Sequence, residues 1–277
     1  MQEQMTVEKS GLIIYTMSDS SGETAEAVAR AVLVQFQPGN ASIYRLPQIR
    51  NCEQISSFVK QAAEKHALIA YTFVLPEYRE RLEAQAKKHN VTAVDLLGPL
   101  LHKVTSITGA EPLSQPGRLH LLDDTYFKRI EAVDFAIRFD DGKNPEGILQ
   151  ADVIITGVSR TSKTPNCMYL AQHYGLKAAN VPIIMGVDPP LALFQVPPKK
   201  IVGFGIDPFL LQDIRSKRAS FLNMPAGSDY ADQDLIHQEV RYARKLFREL
   251  RCHVIDVSSK AIEETSSEIY LHLRQTT

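Results

Sequence analysis

The segment Asp152-Val-Ile-Ile-Thr-Gly-Val-Ser-Arg-Thr-Ser-Lys-Thr164 carries the residues best spaced to hold a phosphate. Four apolar or β-branched residues read as a buried strand, which breaks at Gly157 into a loop ending on Lys163-Thr164. A helix-like segment follows from Pro165 to Tyr174. The spacing Gly157-x-x-x-x-Ser162-Lys163-Thr164 is that of a P-loop with serine in place of the second glycine. Successive backbone N–H groups and a helix N-terminus offer donors and partial positive charge to a phosphate. Lys163, read as an exposed loop cation, adds a point charge near the outer phosphates, and the Thr164 hydroxyl could ligate Mg²⁺. Ser162 gives up the freedom that glycine lends a tight turn, so a plain Ser/Thr-rich β–α turn is the competing reading. Pro165 suits either, since proline is tolerated in the first turn of a helix.

Phosphoryl transfer needs carboxylates and further cations as well as a cradle. Asp140-Asp141-Gly142, just before the P-loop strand, offers paired acids that could divide metal binding and base work. Two acids at the negative end of a helix dipole are locally unfavourable, which hints at a use beyond capping. Asp188 and Asp207 each follow an apolar run, where strand ends face a ligand crevice. Each also precedes proline, a common way to start a turn. Asp188 is the candidate metal ligand beside Thr164. Arg215, Lys217 and Arg218 precede a polar stretch to Asp232, as a phosphate-closing lid would, or as a solvated helix end would. Ser18-Asp19-Ser20-Ser21-Gly22 could form a second anion site or a polar N-cap loop.

These groups must be carried by a framework, and repeated alternation of apolar runs with amphipathic stretches predicts α/β architecture. Strands are expected over Leu12–Met17, Ser42–Leu46, Leu68–Val74 and Val91–Leu97, with helices between them, which suits a parallel sheet. Thr108 to Leu121 dissolves into Gly, Pro, Ser and Gln. Asp124 to Phe139 is helical in period. After the P-loop strand come strands at Val181–Met185, Lys200–Phe204 and His253–Val257. Helices are expected from Asp207, over Leu235–Leu250 and over Ile262–Leu273, and Gly175 caps the P-loop helix. The division expected is an N-terminal parallel α/β domain (1–107), a linker and helix ending in Asp-Asp-Gly (108–150), and a P-loop kinase-like α/β domain (151–277).

Composition narrows the class. The chain has 277 residues, 44% hydrophobic and 23% charged, and a formal net charge of −1. No global basic field argues for nucleic acid or an anionic membrane. Cys52, Cys167 and Cys252 form no CxxC pair, and the eight histidines show no metal-ligand spacing. The polar Met1–Ser10 stretch and the lack of a long apolar run point to a cytoplasmic protein.

Gly157-Val-Ser-Arg-Thr-Ser-Lys-Thr-Pro165, Asp140-Asp141-Gly142, Ile206-Asp-Pro with Arg215 and Arg218, and Ser18-Asp19-Ser20-Ser21-Gly22 together resemble the pyruvate, phosphate dikinase regulatory protein family. The resemblance runs from Leu12 to about Ile269. Members tied to phosphoenolpyruvate synthase often carry Cys-Gly at Thr161-Ser162 and histidine at Phe139, so the dikinase branch is favoured. The resemblance implies a bifunctional enzyme. One activity is an ADP-dependent serine/threonine kinase that inactivates the dikinase at a threonine beside its catalytic phosphohistidine. The other is a phosphorylase that uses inorganic phosphate, restores the threonine and releases pyrophosphate.

Gly157, Val158, Ser159, Arg160, Thr161, Ser162, Lys163 and Thr164 are then the ADP-binding positions. Lys163, Asp141 and Asp140 become the catalytic candidates, Arg215 and Arg218 the lid cations, and the dikinase the protein partner. Three alternatives stay open: a regulator of phosphoenolpyruvate synthase with the same chemistry, a nucleotide-sensing module that binds without transfer, and a small-metabolite kinase. A homodimer also stays open.

Overall fold

A computed structural model of the chain describes residues 11–36, 41–120, 124–142, 146–224 and 229–275. It divides into two compact units, Met1–Leu121 and Leu122–Thr277. The first unit runs β1 (Ile13–Ser18), α1 (Glu23–Leu33), β2 (Ser42–Leu46), α2 (Cys52–Glu64), β3 (Leu68–Thr72), α3 (Pro76–Lys88), β4 (Ala93–Asp95) and α4 (Gly98–Thr108). The second runs α5 (Asp124–Arg138), α6 (Glu146–Gln150), β5 (Val153–Gly157), α7 (Lys163–Tyr169), β6 (Ala178–Pro182), β7 (Ile201–Gly205), α8 (Pro208–Phe221), α9 (Gln233–Leu250), β8 (His253–Asp256) and α10 (Ile262–Gln275). The expected α/β class is therefore observed.

Each unit holds a four-stranded parallel sheet, ordered β2-β1-β3-β4 in the first and β6-β5-β7-β8 in the second. In both, the chain leaves the first strand to one side and returns to its other side. That reversal opens a crevice at the carboxyl ends of the central strands, the usual ligand position in open α/β sheets. In the second unit the crevice lies where β5 ends at Gly157.

Parallel strands packed on both faces should read as continuous apolar runs, and β5 (Val-Ile-Ile-Thr-Gly) is buried along its whole length. Ile154 packs on one face with Leu246, Phe247 and Leu250 of α9; Ile155 packs on the other with Leu170 and Ile269. Asp232 starts α9 by accepting from the Leu235 N–H, and the helix buries Ile236, Val240, Ala243, Leu246, Phe247 and Leu250. Each large side chain so buried is worth about 1.5–3 kcal/mol. Gly203 is needed for this packing, since a Cβ there would lie 2.7 Å from the Phe247 ring.

Local differences from expectation are informative. The strand after the P-loop helix begins at Ala178 and ends at Pro182, three residues earlier than its apolar run suggests. It follows β5 in register from Val153↔Ala178 to Gly157↔Pro182, and sheet pairing overrides the local pattern. The strand expected over 91–97 is confined to Ala93–Asp95, because Asp95 turns back to cap α4 through the Leu97 and Gly98 N–H groups. Helices α4 and α6 lie where periodicity singles out none. The Asp140–Gly142 segment is a short 3₁₀ turn that packs with β6 in the second unit. Among the described residues, no helix is long and apolar enough to cross a membrane.

Candidate functional site

The loop after β5 is built to leave donors free. Gly157 passes so close to β7 that a Cβ there would sit 3.0 Å from the Phe204 carbonyl oxygen. The Val158 carbonyl then accepts from the Thr161 hydroxyl (2.9 Å) and the Lys163 ammonium (2.8 Å), closing the loop on itself. Arg160 (φ 70°) and Ser162 (φ 59°) both adopt the left-handed conformation. Ser162 is the N-cap of α7, and its side chain makes no capping bond. Among the described residues, the backbone N–H groups of Ser159, Arg160 and Ser162 donate no backbone hydrogen bond outside the helices and strands. Serine thus takes the backbone shape of the glycine it replaces, at a cost of about 1 kcal/mol of strain. The result is a concave run of N–H donors at a helix start, the arrangement that binds phosphate.

Lys163 departs from its expected exposure. It is only 6% exposed, drawn inward by the Val158 carbonyl. Its pKa falls to about 8, chiefly through desolvation, with Arg215 adding to the fall and Asp141, Cys167 and Asp140 opposing it. The folded value lies below the unfolded one, so the buried charge lowers stability in full below about pH 8. That penalty is relieved as pH rises from about 8 towards 10.5, where the unfolded chain holds more protons. Phosphate binding has the opposite dependence, because the free protein loses this cation above pH 8. The value of kcat/KM for a phosphate substrate is expected to fall roughly tenfold per pH unit on that limb. A profile that stays flat from about pH 7 to 9.5 would remove Lys163 from substrate binding.

Four side chains meet beside the loop. The Thr164 hydroxyl donates to Asp140 Oδ1 (2.9 Å). The Asn180 amide donates to Asp140 Oδ1 (2.6 Å) and to Asp141 Oδ1 (3.2 Å), and lies 3.1 Å from the Thr164 hydroxyl. Asp141 is held in the left-handed region (φ 57°) and is exposed. Strained conformations of this kind persist where the surroundings over-determine them, commonly at functional sites. Asn180 is absent from the sequence-derived candidates. It lies on β6 and is 2% exposed; the available signal is a buried asparagine inside the run Ala178-Ala-Asn-Val-Pro182.

The cluster's donor set suits Mg²⁺. It offers two carboxylates, a hydroxyl and the Asn180 Oδ1, which is buried and has no hydrogen-bond partner. Mg²⁺ favours hard oxygens and usually takes one or two carboxylates together with substrate phosphates. Among the described residues no three His, Cys, Asp or Glu side chains form a metal-binding group, so a closed all-protein cage is not built here. Asp188 stands apart from this hydrogen-bonded group: it is exposed and lines a cavity with Asp141. Asp207 caps α8, accepting from the Phe209 and Leu210 N–H groups.

Arg215 is not on a lid. It lies on α8, 2% exposed, with its two terminal guanidinium nitrogens donating to the Glu239 carboxylate at 2.6 and 3.2 Å. It also reaches the carbonyls of Tyr230 (3.3 Å) and Ser159 (3.5 Å), while the Tyr230 hydroxyl accepts from Arg160 (3.1 Å). Arg215 therefore braces the P-loop from behind. Arg218 lies over the Phe221 ring of its own helix. Glu239→Gln would leave a buried guanidinium without its counter-charge and is expected to lower stability by about 3 kcal/mol. Urea unfolding checks this, and an unchanged midpoint would contradict the brace.

In the first unit, the Ser18–Gly22 turn lines a separate cavity of about 240 Å³ with Thr72 and Arg118. There Asp19 accepts from the Val74 and Leu75 N–H groups. Its carboxyl is pushed above the usual range by burial. Cys52, Cys167 and Cys252 are free thiols, and burial raises the Cys167 pKa strongly, which leaves it inert.

The family model described as kinase/pyrophosphorylase matches residues 14–270. A relative from Shouchella clausii is 44% identical over 96% of this chain and 97% of its own length. One from Carboxydothermus hydrogenoformans is 43% identical over 93% and 92%. Another from Geobacillus thermodenitrificans is 43% identical over 95% and 98%. All three carry the name "Putative pyruvate, phosphate dikinase regulatory protein".

Proposed function

The chain belongs to the kinase/pyrophosphorylase family, and from that premise we propose that it regulates a pyruvate, phosphate dikinase by reversible phosphorylation at a single P-loop site. ADP is the phosphoryl donor in the inactivating direction, and inorganic phosphate is the acceptor in the activating one. The names of the relatives support the dikinase as partner. The observation that carries the chemistry is the meeting of Thr164, Asn180, Asp140 and Asp141 beside a loop of free N–H donors. A module that only senses nucleotide needs the cradle and has no use for strained, exposed Asp141 next to it.

In the forward direction a threonine oxygen of the dikinase attacks the β-phosphorus of ADP. The new P–O bond forms as the bond to the AMP oxygen breaks, and Asp141 takes the threonine proton. The loop N–H groups and Lys163 stabilise the charge on the transferring group. In the other direction an oxygen of inorganic phosphate attacks the phosphothreonine phosphorus. The bond to the threonine oxygen breaks, pyrophosphate forms, and Asp141 returns a proton to the threonine. Thr164 and Asp140, with the unpaired Asn180 Oδ1, would hold Mg²⁺, which supplies neutralising charge to phosphate oxygens. We assign this role to them in preference to Asp188. Asn180 keeps both carboxylates oriented, and Arg215 holds the loop's first turn.

The test is direct. ADP labelled in its β-phosphate is incubated with the protein and the dikinase. Label is expected on a dikinase threonine with an equal amount of AMP released. Label that stays in ADP while the nucleotide binds would favour a sensing module.

A further inference from the structure

Asp141 lines a cavity of about 170 Å³ walled by Ile183, Tyr242 and Leu246, with Ile184, Val187 and Asp188 on its exposed side. Engineered apolar cavities of about 150 Å³ admit a benzene-sized group, so this one has room for a single aliphatic side chain. None of Gly157 to Thr164 lines it. In the proposed mechanism a phosphate held by the loop would meet this cavity through Asp141, the residue assigned to the attacking oxygen. The wall is also fixed relative to the cradle. The Ile183 N–H donates to the Gly157 carbonyl (3.0 Å), and Pro182 pairs with Gly157 in the sheet. Apart from the carboxylates of Asp141 and Asp188, the cavity's exposed side is apolar: Ile184 and Val187 are each 56% exposed.

We propose that this cavity is the acceptor-side subsite, taking one apolar side chain of the target protein next to the hydroxyl that Asp141 serves. The inference rests on the proposed kinase activity and adds to it the feature that selects the target segment. An extended acceptor chain would lay its hydroxyl residue over Asp141 and drop a neighbouring aliphatic side chain between the loop after β6 and helix α9. That contact would choose among hydroxyl residues without touching the nucleotide.

The double variant Ile184→Ser/Val187→Ser alters only exposed rim positions, so the fold should be retained. In the full-length protein its KM for the dikinase is expected to rise about tenfold, the loss of one apolar side-chain contact. Its kcat and its KM for ADP should stay within about twofold of wild type. A raised KM for ADP with an unchanged KM for the dikinase would put the nucleoside in the cavity and overturn the subsite. Unchanged values for both would overturn it as well. Wild-type protein that transfers no phosphoryl group would count against the kinase reading itself. Calorimetric binding of the dikinase to wild type and variant then decides the subsite separately: weaker binding by the variant supports it, and equal binding overturns it.

Discussion

Replacing Lys163 with alanine is expected to lower kcat/KM for ADP-dependent phosphorylation by about 10²–10³-fold, the usual effect of removing one preorganised charge or donor from a transition state. The effect should be at the upper end, because the ammonium is desolvated and its field is little screened by water. Burial also bears on the fold. The substitution removes the packing of the lysine stem, which costs stability, and a charge that burial disfavours, which restores some. These terms oppose each other, so the variant should remain folded. Circular dichroism and a urea midpoint establish that, and kinetics with ADP read the rest. A folded variant with full activity would end the assignment of Gly157–Thr164 as the donor site.

Asp141→Asn is expected to reduce both directions of the reaction by about 10²–10⁴-fold, the typical contribution of a positioned general base. Asparagine keeps the left-handed backbone better than most residues, so the loss would report chemistry and not a misfolded turn. Asp140→Asn should act differently. Its Oδ1 already accepts from Thr164 and Asn180, and an amide oxygen can still accept those bonds. The rate loss should be smaller and should recover partly as Mg²⁺ is raised. If both variants keep near-normal rates in both directions, Asp188 becomes the first candidate, since it lines the same cavity as Asp141.

The parts of this site that are readable from sequence are those set by local rules. The β5 run, the loop spacing, the glycine that ends the P-loop helix (Gly175, φ 66°) and the apolar stripe of α9 all follow from period and turn chemistry within a few residues. What sequence does not carry is convergence across the fold. Asn180 reaches Asp140 across forty residues because β6 pairs with β5, and its strand is misplaced by three residues when read from apolar content alone. Arg215 reads as a lid cation because its partner, Glu239, lies on the next helix along the chain. Once that pair is seen, the arginine is spoken for as a structural brace. Lys163 reads as exposed because loop lysines usually are, and only the closed loop geometry shows its ammonium turned in on Val158. The left-handed backbone of Ser162 explains how a loop lacking its second glycine still forms the cradle.

In the mechanism we propose, one P-loop serves both opposing reactions, because one cradle of N–H groups with Lys163 can stabilise a phosphoryl group whichever oxygen leaves. The measurement that tests it is the initial rate of phosphothreonine phosphorolysis, taken while inorganic phosphate is varied at several fixed concentrations of ADP. A shared site predicts competitive inhibition: ADP raises the apparent KM for phosphate and leaves the maximal rate unchanged. Purely non-competitive inhibition, together with a Ser20→Ala/Ser21→Ala variant that loses phosphorolysis alone, would contradict it and place the second reaction at the Ser18–Gly22 turn.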